Sequence, residues 1–136
     1  MLSSRFFYVY LVLSIISFGI VGLFTEAPIL MAPDSETYLN ASLRRTIGYP
    51  IFLSIVAWLD SSFSILPVIQ SLIYAFAASF LVYSYSRFIS NRFFCCFFVI
   101  VLSINPIIWI YHSQMLAESL FMSLTMICLG LIFNAI

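Results

Sequence analysis

Apolar positions in this chain come in long unbroken runs, without the two-residue alternation of a half-buried strand or the three-four spacing of a surface helix. The first run covers residues 6–24 and carries no charge; three more cover 66–85, 93–111 and 115–136. A stretch of about 20 apolar residues is what a helix needs to cross the hydrocarbon core of a bilayer. The pattern therefore predicts an all-α, polytopic membrane protein of four transmembrane helices, forming a single domain over 1–136. The first run exceeds the apolar core of a signal peptide and lacks a well-formed small-residue cleavage site near Glu26-Ala27. It reads as an uncleaved helix. Asn105-Pro106 should kink the outer half of the third run, because proline lacks the N–H its helix turn requires.

The interval between the first two runs, 25–65, breaks the pattern. It holds four of the five acids (Glu26, Asp34, Glu36, Asp60), the pair Arg44-Arg45 and three prolines, Pro28, Pro33 and Pro50. This is a structured loop outside the hydrocarbon. Its tail, 50–59, has about ten apolar residues and is too short to cross. It should lie along the membrane interface as a helix, with Trp58 at headgroup depth.

Composition sharpens the class. Residues of the set AVILMFWYC make up 64% of the chain and charged residues 7%, against roughly 25% charged in a soluble domain. With a mean hydropathy of +1.17, a soluble globular fold and a disordered chain are excluded. No basic surface exists to neutralise nucleic-acid phosphates. Cys95, Cys96 and Cys128 lie in apolar runs without metal-ligand or disulfide spacing and read as small apolar fillers. His112 has no second histidine to support a metal site and reads as an interfacial residue. No metal or cofactor is expected.

Arg5, Arg87 and Arg92 flank span ends in short segments. Under the positive-inside rule they mark the cytoplasmic face, with both termini inside and the 25–65 loop outside. The ionisable residues of the loop and the start of the fourth run then share one face. Asp34, between Pro33 and a helix expected over 35–43, can act as a base if partial burial raises its pKa; equally it can cap that helix, with Glu36 favouring the helix dipole. Arg44 and Arg45 stand against the topology rule. A guanidinium pair can clamp a phosphate or diphosphate through bidentate bonds, or contact headgroups, or pair with Glu26, Glu36 or Asp60. Glu118 is the one acid inside an apolar run, and such an acid is a functional candidate by default; it can also snorkel to water, paired with His112.

Pro33-Asp34-Ser35 with Tyr38-Leu39, followed by Arg45-Thr-Ile-Gly48-Tyr49-Pro50-Ile-Phe-Leu53, resembles the first outer loop of polytopic glycosyltransferases of the GT-C type. These include the family 39 relatives of protein mannosyltransferases and of the lipid A aminoarabinose transferase. Ser113-Gln-Met-Leu116-Ala-Glu118-Ser-Leu120-Phe121 is similar to the acid-bearing opening of their fourth helix. The resemblance implies transfer of a sugar from a polyprenyl-phosphate-linked donor to an acceptor on the outer face of a bacterial inner (plasma) membrane. It implies Asp34 as the base that activates the acceptor hydroxyl and Glu118 as a second acid of the same cavity. Arg44, Arg45, Glu36, Tyr38 and Tyr49 become the substrate-binding candidates. Partners would be the lipid-linked donor, membrane lipids and the remaining spans of a truncated or split enzyme, since that family has many more than four spans. The residues alone also fit a non-enzymatic four-span subunit or a transporter- or flippase-like component.

Overall fold

The computed structural model describes residues 5–24, 35–40, 47–89, 91–112, 114 and 117–136, the side chains of 22–24, 106, 107 and 109 excepted. The described residues form seven helices: α1 (Arg5–Phe24), α2 (Ser35–Leu39), α3 (Gly48–Leu59), α4 (Leu66–Tyr85), α5 (Arg92–Ile104), α6 (Pro106–His112) and α7 (Ala117–Ala135). The all-helical class is as the runs of apolar residues imply. Among the described residues, α4 and α7 are long and apolar enough to cross a membrane; α1 over Arg5–Val21, α3 and α5 are shorter apolar helices.

The third apolar run is broken rather than kinked. Asn105 is extended (φ −60°, ψ 115°) and separates α5 from α6. Pro106 cannot donate to the carbonyl four residues back, and the residue before a proline is driven out of helical geometry. That carbonyl, on Leu102, accepts instead from the Tyr74 hydroxyl of α4 at 3.4 Å. The helix expected over 35–43 is described over Ser35–Leu39, and residues 41–43 lie outside the described residues.

Helix α4 is the centre of the bundle, packed most extensively on α7 and then on α1, α5 and α6. Its sequence explains why it can be surrounded. Ala75, Ala77, Ala78 and Ser79 are buried, and small side chains let neighbouring backbones approach closely. Helix α7 answers with Ser119, Ser123 and Gly130 as its buried face. A Cβ at Gly130 would lie 2.7 Å from the Phe80 ring and 3.4 Å from the Leu81 Cα, so the absent side chain permits the approach.

Hydroxyls buried in this apolar setting are satisfied locally. Ser17, Ser79, Ser84, Ser103 and Ser123 each donate to the carbonyl four residues earlier in their own helix, which removes the cost of an unpaired polar group. Ser103 and Ser84 then accept from a second helix. Ser14 on α1 lies 2.7 Å from Ser103 Oγ, and since Ser103 donates to Val99, Ser14 is the donor. Asn134 on α7 donates to Ser84 at 2.7 Å.

The bundle has two unlike ends. At one, Tyr10, Val82, Cys95 and Val99 form an apolar cluster backed by Phe6 and Phe98. Arg5 and Arg92 open α1 and α5 there, and Arg87 follows α4. The three arginines flanking the runs thus share one end of the molecule. At the other end Tyr38, Tyr49, Leu53, Val56 and Leu66 form a second cluster, on which Ala117 and Leu120 of α7 also pack.

Candidate functional site

The end opposite the arginines is built from α2, α3 and the first turns of α4 and α7. Helix α3 buries Tyr49, Pro50, Leu53 and Val56 along one side and leaves Ile51, Ile55, Trp58 and Leu59 exposed, Trp58 at 85%. These two stripes follow from helical spacing acting on a segment that is apolar all round. A tight turn carries the chain from α3 into α4. Asp60 accepts from the Ser62 and Ile65 N–H groups at 2.9 and 3.2 Å and from the Ser62 and Ser64 hydroxyls at 2.6 and 2.7 Å. Those four hydrogen bonds, chiefly from the two hydroxyls, hold the Asp60 carboxyl well below the usual carboxylate range. Phe63, at φ 58°, occupies the left-handed region inside this turn.

Tyr49 is the hub. It is 3% exposed. Its ring meets Tyr38 of α2 edge-on at 5.0 Å and stacks on Phe52 at 5.8 Å. Its hydroxyl accepts from the Gln70 side-chain amide of α4 at 3.0 Å. Burial pushes the Tyr49 hydroxyl well above the usual phenol range; the Gln70 hydrogen bond opposes the rise, and the nearby Tyr38 and Glu118 add to it. Tyr49 is therefore a neutral phenol with its own proton free to donate.

Glu118 stands in the first turn of α7, where the helix dipole favours a carboxylate. It is exposed. Its neighbours Ala117 and Leu120 pack on the cluster that holds Tyr49, so the first turn of the last helix comes up to the Gly48-Tyr49-Pro50 segment of the loop, 69 positions earlier. Glu36 is exposed in the first turn of α2. Tyr38 is buried and belongs to the cluster with Tyr49. Asp34, Arg44 and Arg45 lie outside the described residues. Of the seven candidates, the structure therefore joins Tyr38 and Tyr49 in one cluster, with Glu118 in the helix turn that packs on it and Glu36 in the helix that carries Tyr38.

Comparison with family models, curated proteins and solved structures gives no match.

Two residues of this end were not legible as site residues. Gln70 joins α4 to Tyr49. Its position, one turn into an otherwise apolar stretch, was the available signal. His112 is buried inside the bundle: it is 1% exposed, lies between the rings of Phe18 and Tyr74 at 5.5 and 5.1 Å, and its Nδ1 is 2.6 Å from Ser119 Oγ. Its partner is thus the serine beside Glu118, not Glu118 itself. Among the described residues no group of three His, Cys, Asp or Glu side chains converges as a metal site would require.

An open apolar cleft of about 220 Å³ runs between α1 and α4, walled by Ile15, Phe18, Gly19, Val68, Ser71 and Leu72. Ser71 is its one polar side chain among these. The cleft can receive hydrocarbon and offers no acid or base.

Proposed function

We propose that this chain is the amino-terminal part of a membrane glycosyltransferase of the GT-C type. It crosses the membrane four times and holds the 25–65 loop on the outer face. The loop and the start of α7 form the site where a sugar passes from a polyprenyl-phosphate donor to an acceptor hydroxyl. The observation that carries the reading is the packing of the first turn of α7, which holds Glu118, on the cluster that holds Tyr49. Both belong to the segments that resemble that family, and they lie far apart in sequence. The distribution of charge supports the orientation, since Arg5, Arg87 and Arg92 gather at the end away from this site.

In the proposed reaction the Asp34 carboxylate takes the proton of the acceptor hydroxyl. The acceptor oxygen forms a bond to the anomeric carbon as the bond from that carbon to the phosphate oxygen breaks, and the electron pair leaves with the polyprenyl phosphate. Arg44 and Arg45 hold the departing phosphate through bidentate hydrogen bonds. Tyr49, neutral and with a proton to give, orients a substrate oxygen; Glu118 shapes the polar side of the same site. The cleft between α1 and α4 supplies an apolar wall for the hydrocarbon of the donor.

The test is sugar transfer from a lipid-linked donor, measured in membranes that contain the chain together with any further spans encoded beside it. Asp34→Asn is expected to abolish transfer while folded yield in detergent is kept, because the amide retains a capping oxygen but cannot accept the proton. Glu118→Gln should cost less. Arg44→Gln with Arg45→Gln should weaken donor binding, and Lys at both positions should restore it only in part. Full transfer by Asp34→Asn would end the catalytic assignment.

A further inference from the structure

Three cations meet at the arginine end, and no acidic side chain answers them. The Arg92 guanidinium donates to the Ser86 carbonyl at 3.0 Å, so it lies against the residue that precedes Arg87. It also lies 5.0 Å over the ring of Phe6, the residue after Arg5 in α1. One guanidinium thus ties the backbone positions of the other two arginines to a single neighbourhood. Glu36, Asp60 and Glu118 belong to the opposite end, and residues 1–25, 61–117 and 119–136 contain no Asp or Glu. Helix formation does not ask for these cations. Arg5 and Arg92 stand at the first positions of α1 and α5, where the helix dipole disfavours a positive charge. Like charges gathered at the edge of an apolar bundle raise one another's energy, and an anion held among them lowers it. Arg92 is already oriented by the Phe6 ring and the Ser86 carbonyl, and its planar fork carries more N–H donors than that one carbonyl uses.

A groove begins where these arginines stand. It has a volume of about 260 Å³, opens on the outside of the bundle between α1 and α4, and is lined by Phe7, Tyr8, Phe76, Phe80 and Tyr83. Arg5 and Tyr8 are three apart on one face of α1. Arg87 follows Tyr83 by one turn, just past the end of α4. Cations therefore head both walls of the groove. Phe7 braces it, meeting Phe76 and Tyr83 edge-on at 5.6 and 5.9 Å. Tyr8 and Phe76 leave 62% and 47% of their surface open to the surroundings. From Phe76 to Tyr83 the groove follows α4 for about 10 Å at the helical rise, within the roughly 15 Å of hydrocarbon that one leaflet contributes.

We propose that the arginine end binds one anionic glycerophospholipid of the adjoining leaflet. Its headgroup phosphate rests among Arg5, Arg87 and Arg92, and one of its acyl chains lies in the aromatic groove between α1 and α4. Charge complementarity selects the headgroup: a zwitterionic lipid brings a cation of its own, which three arginines repel, and an anionic lipid does not. The groove selects a phosphate that carries a hydrocarbon chain over a free one, because the aromatic walls gain only from apolar contact. Binding of this kind requires that the helices stand in a bilayer. It holds whether or not the chain transfers sugar, and whichever face of the membrane the arginines mark.

Native mass spectrometry of the whole protein, released from micelles that hold equal amounts of phosphatidylglycerol and phosphatidylcholine with identical chains, reads the site. One phosphatidylglycerol per chain should be retained, preferred over phosphatidylcholine by at least about tenfold. Micelles have no sidedness, so arginines that serve only to orient the chain in a membrane would give no such preference. Arg5→Gln with Arg87→Gln, both at exposed positions, should reduce the preference to about twofold or less. Lys at both positions should keep part of it. Tyr8→Ala with Phe76→Ala should lower retention of phosphatidylglycerol at least about threefold, through lost apolar contact. Glycerol phosphate added in excess should not displace the lipid. Equal retention of the two lipids by the unaltered protein overturns the site, as does a preference that survives the Gln pair. Displacement by glycerol phosphate, or full retention without the two rings, overturns the seating of the chain in the groove.

Discussion

The two ends of the bundle solve the same burial problem in opposite ways. At the arginine end the Tyr10, Val82, Cys95 and Val99 cluster is flanked by buried Ser84 and Ser86, whose hydroxyls donate to carbonyls of their own chain segment, and charge is kept at the rim: the Arg92 guanidinium lies 5.0 Å over the Phe6 ring and donates to the Ser86 carbonyl at 3.0 Å. At the acid end the interior itself is polar. Gln70 and His112 are buried beside Tyr49 and Tyr74, and Glu118 sits at their edge. Apolar packing and hydroxyls bonded to nearby carbonyls close the first end. The second spends stability on buried polar groups, and such groups are kept at positions where chemistry or recognition needs them more often than where only packing is at stake.

If the arginine end is the stabilising core, truncation there should be felt most. Tyr10→Ala removes a fully buried aromatic side chain from the Val82, Cys95 and Val99 cluster. It should cost about 3–5 kcal/mol, read from reversible unfolding in mixed micelles; a loss below about 1 kcal/mol would break the contrast. Gly130→Ala tests the tight α4–α7 contact, where the new methyl meets the Phe80 ring. A loss of about 1–3 kcal/mol is expected for such overpacking, and a stabilised variant would show that the ring moves aside freely.

At the acid end Tyr49→Phe keeps the ring packing and removes the acceptor for Gln70. About 1 kcal/mol should be lost, with a larger loss of donor binding than of stability if Tyr49 orients substrate. The smallest effect concerns Asp60. Its folded-state pKa lies below the unfolded 3.8, so the stability it contributes is present above about pH 4 and is lost as pH falls through the lower folded value. Asp60→Asn should lower stability slightly at neutral pH and flatten the acid limb of a thermal-stability profile, so that variant and parent converge as pH falls below about 4. The sidedness of the comparison is tested separately in a cysteine-free background. An impermeant thiol reagent should label Ser42→Cys and spare Ser90→Cys in intact cells; the reverse would turn the molecule over.

What sequence could reveal followed from how local each feature is. Helix α4 matches the 66–85 run and α7 nearly matches the fourth, because long apolar runs with good helix formers define their own extent. The short helix after Gly48 was legible from the length of its apolar stretch, and the gathering of the three arginines from their placement at run ends. The burial of His112 was not legible. It depends on α1, α4 and α7 closing over one imidazole, and nothing in the local pattern at Tyr111-His112-Ser113 encodes that. The sequence places Glu118 near the start of the fourth run, and α7 begins at Ala117, which puts the acid in the first turn and in reach of solvent. Gln70 was missed for the same non-local reason, since its partner Tyr49 belongs to another helix. Asp34, Arg44 and Arg45 rest on the sequence alone.

The bond from Tyr74 to Leu102 has a consequence for how the third hydrophobic segment can move. Pro106 deletes the donor that Leu102 would have found within its own segment, and a phenol on another helix stands in for it. The break between α5 and α6 is thus supported from outside. Rotation of α4 that withdraws Tyr74 would leave a carbonyl bare in a dry interior, so the two segments must bend together or not at all. The same phenol lies against His112, so any such bending reaches the neighbourhood of Glu118 through one side chain. Tyr74 is in effect a mechanical linkage, joining a built-in bend on one side of the bundle to the chemical groups on the other.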